Sequence, residues 1–323
     1  MIKAGIIGGA GYTAGELIRL LINHPDVELI WVHSSSNAGH AIASVHQGLI
    51  GELSMNFTDQ LDFESIDVLF CCAPHGYTRT FFQAHPVPEE LRIIDLSADF
   101  RIEDGTHDFV YGLPELNRRR IVHDTKHIAN PGCFATAMQL ALLPLAKNLM
   151  LNNTIHINAI TGSTGAGVKP GATTHYSWRN DNVSIYKPFK HQHLAEVKQS
   201  LGQLQQSFCA DVNFIPMRGC FSRGILCYAY LDLDVELEMV RKLYEEYYDD
   251  HRFTFVTDKM PDLKDVVNTN KCIIHLIKEE DKLLIVSVID NLLKGAAGTA
   301  VHNMNLLFGL HERVGLTLKA SAF

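Results

Sequence analysis

Gly8-Gly9-Ala10-Gly11-Tyr12-Thr13-Ala14-Gly15 is the stretch that decides the fold of the first part of this 323-residue chain. A short apolar strand is predicted immediately before it, at residues 3–8, and a helix immediately after it. Gly9, Gly11 and Ala14 fit the spacing G-x-G-x-x-G/A, which turns a strand into a helix whose N-terminal N–H groups bind a pyrophosphate. A glycine turn without a ligand is the alternative, but the flanking strand and helix favour a dinucleotide site.

The segment around this turn forms a complete βαβ unit. The predicted helix stops at His24-Pro25, and a second strand follows at residues 27–32. Strand, turn, helix and strand together span about 30 residues, as expected for such a unit. The pattern predicts a Rossmann-type dinucleotide-binding domain built on parallel strands.

The residues after the second strand indicate which dinucleotide binds. NAD sites usually carry Asp or Glu here for the ribose hydroxyls, whereas this chain carries three serines. With no carboxylate to repel a 2′-phosphate, the pattern favours NADP; ordinary loop serines are the alternative. The residues expected to contact NADP(H) in this unit are Gly8, Gly9, Gly11, Tyr12, Thr13, Ala14, Ser34, Ser35 and Ser36.

Two further buried strands are predicted in the first domain. The strand at residues 67–73 ends at Pro74, where the cofactor-facing loops of an open α/β sheet lie, so Pro74 is a candidate cofactor contact. The strand at 91–96 leads into a polar cluster at 97–101, which is either part of a site or turn capping by Ser97 and Asp99. Residues 111–115 are interpreted as a rigid loop and the arginines at 118–120 as a solvated charge run.

Asn130-Pro131-Gly132-Cys133 closes this domain and opens the next one. Asn-Pro-Gly forces a turn, and residues 134–149 are apolar and rich in helix formers. Cys133 is therefore predicted at a helix N-terminus, where N–H groups and the helix dipole favour a thiolate over a thiol. A nucleophile is one interpretation, and a small buried residue filling a turn is the other.

The second half of the chain has the pattern of an α+β domain. Strands are predicted at residues 154–160, 211–215, 224–233, 271–277 and 283–289, with helices near 193–206 and 236–249. This order favours a mostly antiparallel sheet, which can bury one face against a second subunit. Between them, the glycine-rich loop at 162–167, with Gly162 and Ser163, either cradles a phosphate or is merely flexible.

The last part of the chain is predicted to return to the first domain. A strand runs into Asn291-Leu292-Leu293-Lys294-Gly295, and a helix of small residues follows. We expect residues 296–323 to complete the dinucleotide-binding domain of residues 1–132 and to bring Asn291 and Lys294 towards the cofactor; a plain core helix is the alternative. Residues 133–295 then form the catalytic and oligomerisation domain.

Composition excludes several classes of function. The net charge of −8 argues against a nucleic-acid surface or a binder of anionic membranes. The sequence contains no run of 18 apolar residues, so no membrane span is predicted. The seven scattered cysteines are typical of reduced cytosolic thiols. His191 and His193 stand near Glu196, but no third ligand has convincing spacing, so no metal is expected.

Seven segments in order carry a family resemblance. They are residues 8–17, 96–101, 111–115, 130–133, 162–167, 191–196 and 291–298. Together they resemble the N-acetyl-gamma-glutamyl-phosphate reductase family of arginine biosynthesis, within the aspartate-semialdehyde-dehydrogenase-like superfamily. The chain reads Ala14-Gly15 where this family usually reads Gly-Ala, and alanine is tolerated at that fingerprint position.

The resemblance implies NADPH-dependent reduction of an N-acyl-gamma-glutamyl phosphate to the semialdehyde, with phosphate release, through a Cys133 thioester. It implies a cytoplasmic homodimer or homotetramer, with His191 or His193 handling the proton and Arg101, Asn130 and Arg223 binding the substrate. Which group blocks the amine, whether acetyl, succinyl or another acyl group, stays open. The alternatives are an aspartate-semialdehyde dehydrogenase, a Cys–His acyl hydrolase without nicotinamide, and a non-catalytic NADP sensor.

Overall fold

The computed structural model describes residues 1–321, which divide into two compact units. The first comprises Met1–Pro131 and Ala296–Thr317, and the second comprises Gly132–Gly295 and the described part of Leu318–Phe323. The assignment of one domain to NADP and the other to catalysis stays a prediction. Of the predicted range 296–323, the last two residues lie outside the described part.

The first unit is built on a six-stranded sheet with every neighbouring pair parallel. Its strands are β1 (Ile2–Ile7), β2 (Val27–His33), β3 (Val68–Cys71), β4 (Arg92–Asp95), β5 (Val110–Tyr111) and β6 (His127–Ala129). The strand order is β2-β1-β3-β4-β6-β5. Strand β3 is buried along its whole length, as its continuous apolar sequence predicts for a parallel sheet covered on both faces.

The helices of this unit include the C-terminal one. They are α1 (Tyr12–Leu21), α2 (Ile42–Val45), α3 (Thr78–Ala84), α4 (Pro114–His123) and, after the second unit, α9 (Gly298–Leu307). Asn303 of α9 donates from Nδ2 to the Gly112 carbonyl at 2.8 Å and to Asn130 Oδ1 at 3.1 Å. The Asn130 amide in turn donates to the Ala296 carbonyl at 3.1 Å, so hydrogen bonds hold the returning helix within the first unit.

Two interpretations of this region are wrong in part. Of residues 111–115, only Gly112 and Leu113 form a loop, because Val110 and Tyr111 pair with β6 and α4 begins at Pro114, a residue well suited to the first turn of a helix. Residues 118–120 are not a uniformly solvated run, because Arg118 is partly buried and lies 3.4 Å from Glu312 in an ion pair.

Asp95 is fully buried at the carboxyl end of β4. The N–H and hydroxyl of Ser97 donate to its two carboxylate oxygens at 3.1 and 2.7 Å. Burial raises the pKa of this carboxyl from its ordinary 3.8 to about 6, and the Ser97 hydrogen bonds only partly offset the rise. The folded chain therefore keeps a proton at pH values where the unfolded chain has released it.

We expect Asp95→Asn to change the pH dependence of stability. Because the folded state binds this proton more tightly, the wild-type free energy of unfolding falls by up to about 3 kcal/mol as pH rises from about 4 to about 6. The free energy of unfolding of the variant lacks this fall, so it rises relative to that of the wild type between these two pH values. Urea unfolding at both ends of the range measures the gain, with exposed Asp234→Asn as control. An Asp95→Asn variant whose difference from wild type is the same at both pH values contradicts this account.

The second unit is built on a seven-stranded mixed sheet in the order β11-β12-β13-β10-β7-β9-β8. Its strands are β7 (Ile155–Thr161), β8 (Ser184–Ile185), β9 (Val212–Arg218), β10 (Ile225–Asp232), β11 (Thr254–Val256), β12 (Cys272–Glu279) and β13 (Lys282–Ile289). The pairs β7–β9 and β11–β12 are parallel and the other four are antiparallel, which confirms the predicted mostly antiparallel sheet. The short edge strands β8 and β11 were not predicted.

The helices of the second unit are α5 (Cys133–Lys147), α6 (Tyr176–Arg179), α7 (His193–Leu204) and α8 (Leu237–Tyr248), and α5 and α8 pack on the sheet. Helix α5 packs on β10, β12 and β13 and also contacts α7 and α8, so residues 134–146 are all buried. Within residues 1–321, none of the helices has both the length and the apolar character that crossing a membrane requires.

Candidate active site

The glycine turn of the first unit requires its glycines for steric reasons. Gly8 has a φ of +75°, and a Cβ there would lie 2.6 Å from the Cys72 carbonyl carbon. A Cβ on Gly9 would lie 2.3 Å from a Val32 methyl carbon. At Gly11 the nearest atom is 3.8 Å away, so the surface before the first turn of α1 is left uncovered on that side. The turn is thus closely packed at Gly8 and Gly9 and accessible at Gly11, as a pyrophosphate site requires.

His46 supports this turn and was not predicted. Its Nε2 lies 2.7 Å from the Gly9 carbonyl oxygen, which can only accept a hydrogen bond, so Nε2 carries the proton. The ring lies against Gly15 of α1, where a Cβ would be 2.6 Å from Nδ1. Glycine at position 15, the departure from the usual family pattern, therefore makes room for this histidine. No sequence signal links His46 to the turn, because the contact forms across a loop.

The serines after β2 form an ordered turn. Ser34 is buried and Ser35 and Ser36 are exposed. The Asn37 amide donates to Ser34 Oγ and to Ser36 Oγ, each at 3.0 Å. These hydroxyls keep their protons available to donate, as recognition of a 2′-phosphate requires.

Asp99 caps the loop that carries Pro74, which is exposed. The Asp99 carboxylate accepts hydrogen bonds from the Gly76 N–H at 2.6 Å and from the Arg79 N–H at 3.1 Å. Ser97 Oγ accepts from the Asp99 N–H at 3.1 Å. Of the two interpretations of residues 97–101, the capping one is confirmed for Ser97 and Asp99.

Arg101 is buried and binds backbone carbonyls. Its Nε donates to the Asn130 carbonyl and one terminal nitrogen donates to the Leu96 carbonyl, both at 2.9 Å. These bonds fix the end of β4 against the turn that leads to Gly132. Contact between Arg101 or Asn130 and a substrate stays a prediction.

Cys133 is the first residue of α5, as predicted, with Gly132 as the N-cap. The Gly132 N–H donates to Glu196 Oε2 at 2.9 Å, which anchors the turn just before the cysteine. A Cβ on Gly295 would lie 2.8 Å from the Cys133 Cβ. Glycine at position 295 therefore lets the second-unit backbone after β13 come close beside the cysteine.

The two histidines lie in different environments. His193 is the first residue of α7, and its Nε2 lies 3.9 Å from Glu196 Oε1. His191 is surrounded by the rings of Phe134, Tyr186 and Phe214, with centroids 5.5 to 5.8 Å from its own.

The surroundings of His191 keep it uncharged. Burial lowers the pKa of its imidazole to about 4, and the charge of Lys187 adds to the decrease. Its Nδ1 accepts a hydrogen bond from the His193 N–H at 3.3 Å. Glu196, which accepts the Gly132 N–H in the turn before Cys133, has its ion-pair contact with His193.

The first two N–H groups of the glycine-rich loop at 162–167 are bound within the protein and do not form an open phosphate cradle. Gly162 and Ser163 donate their N–H groups to the carbonyls of Gly224 and Phe221 at 3.0 and 2.8 Å. With these donors engaged inside the protein, neither is available to a phosphate in this conformation. Contact of either residue with the cofactor through other atoms stays a prediction.

Asn291 joins the same two loops. Its Oδ1 accepts from the Gly224 N–H at 2.7 Å, and its Nδ2 donates to Thr164 Oγ1 at 3.0 Å. One end of this buried amide thus binds the backbone at Gly224 and the other binds the Thr164 side chain, which explains the place of Asn291 in the motif without a ligand. A cofactor contact for Asn291 stays a prediction.

Arg223 and Lys294 are cations fixed by the second unit. Arg223 Nε donates to Asp290 Oδ2 at 3.1 Å, so Arg223 forms an ion pair with a buried carboxylate of the same unit. Lys294 is completely buried, and its ammonium lies 5.9 Å from the centre of the Phe253 ring. Their roles towards substrate and cofactor stay predictions.

Within residues 1–321, no group of three or more His, Cys, Asp or Glu side chains is placed to hold a metal ion.

Comparison with known proteins places this geometry in a family. Residues 3–123 match the model "Semialdehyde dehydrogenase, NAD binding domain", and residues 133–291 match "Semialdehyde dehydrogenase, dimerisation domain". Proteins named N-acetyl-gamma-glutamyl-phosphate reductase from Parabacteroides distasonis and Phocaeicola vulgatus are 68% and 65% identical, over the full length of both chains. The chain belongs to the N-acetyl-gamma-glutamyl-phosphate reductase family. The predicted family, and with it a reductase of arginine biosynthesis, is confirmed.

Solved structures support the fold of this reductase family member. Aspartate semialdehyde dehydrogenase II from Vibrio cholerae matches with a TM-score of 0.72 at 16% identity, covering 96% of this chain and 98% of that one. The enzyme from Candida albicans, solved with NADP, matches with a TM-score of 0.74 at 16% identity, covering 95% and 98%. At such identities the likeness concerns the fold alone, and it confirms the predicted fold class.

Two residues close to the cysteine, Tyr186 and Arg218, were not predicted as site residues from the sequence of this reductase. Tyr186 lies with its ring 6.4 Å from that of Phe134, the residue after Cys133. The Arg218 guanidinium lies 4.7 Å from the centre of the Tyr186 ring. The strand predicted at 211–215 stopped three residues short of Arg218, where β9 actually ends. A prediction that extended this strand to residue 218 would have placed an arginine at its carboxyl end and marked Arg218 as a candidate site residue.

Proposed function

We propose that this chain reduces N-acetyl-gamma-glutamyl phosphate to N-acetyl-glutamate 5-semialdehyde with NADPH and releases phosphate. The observation that carries the proposal is Cys133 at the N-terminus of α5, with Glu196 bound to its turn and close to His193. The names of the full-length relatives support the substrate. Cytoplasmic location is part of the proposal.

Cys133 divides the reaction into two steps. Its thiolate attacks the gamma-carbonyl carbon, and the C–O bond to phosphate breaks to leave a thioester on the sulfur. The N–H groups of the first turn of α5 stabilise the oxyanion of each tetrahedral intermediate. NADPH, when bound, supplies the hydride that converts the thioester into a hemithioacetal. That species then expels the Cys133 thiolate and yields the aldehyde.

His193 serves as the acid and base in this scheme. The Glu196 carboxylate stabilises its imidazolium form, so the side chain can take a proton from the Cys133 thiol and return it to the sulfur after the tetrahedral oxyanion has expelled the thiolate. His191 positions it, because its ring packs on Phe134 and its Nδ1 accepts the His193 N–H. Arg101, Asn130 and Arg223 are proposed to face the anionic groups of the substrate.

The first unit is proposed to bind NADP(H). The steric need for Gly8 and Gly9 and the uncovered side of Gly11 fit a pyrophosphate at the start of α1, beside Tyr12, Thr13 and Ala14. The serine hydroxyls after β2 fit a 2′-phosphate, with Pro74 on a neighbouring loop of the same unit. The match to a nicotinamide-dinucleotide-binding family model supports this assignment.

An assay in the oxidative direction tests the proposed function. Phosphate-dependent reduction of NADP is followed with N-acetyl-glutamate semialdehyde, N-succinyl-glutamate semialdehyde and aspartate semialdehyde. We expect turnover with the first and little with the other two. Preference for the succinyl compound would correct the blocking group, preference for aspartate semialdehyde would correct the substrate, and thioester hydrolysis without NADP would support an acyl hydrolase.

The second unit is proposed to form a homodimer or homotetramer through the face of its sheet opposite the helices. Along β7, β9 and β10 the side chains alternate between buried ones and half-buried ones. Half-buried apolar residues on this open face include Ile160, Ile215 and Met217. The family model for residues 133–291, described as a dimerisation domain, supports a second copy of the chain as the partner.

We expect Ile215→Lys to dissociate the oligomer. Residue 215 lies on β9 within the open face, and a buried ammonium without a partner is costly in an apolar interface. Sedimentation velocity on the wild type distinguishes a dimer from a tetramer, and the variant is expected to shift to a monomer or dimer. Val122→Lys, at an exposed position of the first unit, is the control. An unchanged assembly state in the Ile215 variant would place the interface elsewhere.

A further inference from the structure

Two strands of the second unit end side by side close to the helix that carries Cys133. Strands β7 and β9 are parallel, and their last residues, Thr161 and Arg218, are in register. The alternation of β9 buries Val212, Phe214 and Pro216, so Arg218 continues the same face. This face is the one covered by α5, because the Phe214 ring lies 5.3 Å from that of Phe134.

Tyr186 fixes the Arg218 side chain beside this helix. The guanidinium lies over the Tyr186 ring, which itself packs at 5.8 Å on the ring of His191 and at 6.4 Å on that of Phe134. Burial raises the pKa of the Tyr186 hydroxyl, and the nearby Cys133 sulfur adds to the rise. Arg218 is thus held in the immediate surroundings of the nucleophile.

Thr161 and Arg218 each have a polar atom that the protein leaves without a hydrogen bond. Thr161 Oγ1 and Arg218 Nε are buried, and neither has a partner among residues 1–321. No carboxylate in that part of the chain forms an ion pair with Arg218. Buried polar atoms of this kind are rare and costly in folded proteins unless a ligand completes them.

We propose that Thr161, Tyr186 and Arg218 form an anion subsite that binds one anionic group of the acyl-phosphate substrate, its carboxylate or its phosphate. The proposal rests on the function proposed above. A planar guanidinium with several N–H donors suits either group, and a hydroxyl beside it adds a donor to the same oxygen atoms. The subsite also brings positive charge close to Cys133 in a chain whose net charge is −8, which favours approach of an anionic substrate.

Kinetics of Arg218→Met in the oxidative direction test the subsite, because the two anions are then separate substrates. Loss of a charge-assisted contact is expected to raise one KM by about 10- to 100-fold and to leave kcat and the KM for NADP nearly unchanged. A raised KM for the semialdehyde identifies the substrate carboxylate, and a raised KM for phosphate identifies the phosphoryl group. Arg218→Lys is expected to recover part of the loss, and Arg252→Met, at an exposed arginine of the same unit, is the control.

Other outcomes overturn the proposal. Unchanged values of both KM in Arg218→Met, with an active wild type, would exclude the subsite and leave the proposed function intact. A lower melting temperature and a lower kcat with both KM values unchanged would assign Arg218 a structural role. A wild type inactive towards the semialdehyde would instead overturn the proposed function, and with it the subsite. Thr161→Val, which keeps the shape and removes the hydroxyl, is expected to raise the same KM by a smaller factor.

Discussion

Cys133→Ser is expected to bind NADPH as the wild type does and to lose turnover by a factor on the order of 10⁴ or more. A serine hydroxyl at the start of α5 occupies the same space but stays protonated at neutral pH, so it cannot attack the carbonyl efficiently. The glycine turn lies in the other unit and does not depend on the sulfur. Fluorescence titration with NADPH and steady-state kinetics measure the two quantities on the same preparation.

The control for this variant is Cys209→Ser, because Cys209 is an exposed thiol of the same unit. It should retain wild-type kinetics, which excludes a general effect of removing a thiol. A single-turnover experiment adds a direct test, since mixing wild-type enzyme with acyl phosphate in the absence of NADPH should release about one phosphate per site and leave acylated Cys133. Substantial reductase activity in the serine variant, or no phosphate release from the wild type, would refute the covalent scheme.

The parts of this molecule that follow from local sequence could be predicted well. Strand β1, the glycine turn and α1 are adjacent in the chain, and their hydrophobic pattern fixes them without distant partners. The start of α5 at Cys133 follows equally from the Pro131-Gly132 break and the apolar run behind it. Element ends away from such breaks have no comparable local signal, and the predicted strand at 211–215 therefore missed the last three residues of β9, including Arg218.

Contacts between distant segments could not be predicted. The composition of residues 162–167 describes a glycine-rich loop, but only the fold shows that Gly224 and Phe221 take up its N–H groups. Likewise, nothing in the sequence around His46 tells that its ring fills the space left by Gly15. The sequence also left His191 and His193 equivalent, and their different partners in space separate them.

Because of those partners, His193→Asn is expected to lower kcat by about 10²- to 10³-fold, whereas His191→Asn is expected to lower it less than about 10-fold. His193 lies beside the Glu196 carboxylate, which favours the imidazolium that a proton donor must form. His191, with its pKa lowered to about 4 by burial and by Lys187, stays neutral at pH 7 and carries no imidazolium proton to donate there. The pH profile of kcat should therefore lose its histidine-dependent limb in the His193 variant only.

Glu196→Gln separates the two roles that the carboxylate combines. Glutamine keeps an oxygen that accepts the Gly132 N–H but removes the charge that faces His193, so the turn before Cys133 should stay in place while the imidazolium loses its stabilisation. We expect kcat to fall and its pH profile to shift to lower pH, with the melting temperature close to that of the wild type. His175→Asn, which changes an exposed-loop histidine of the same unit, controls for the loss of an imidazole. If His191→Asn abolished turnover while His193→Asn kept it, the proton would have to pass through His191, and Glu196 would then act only by anchoring the turn.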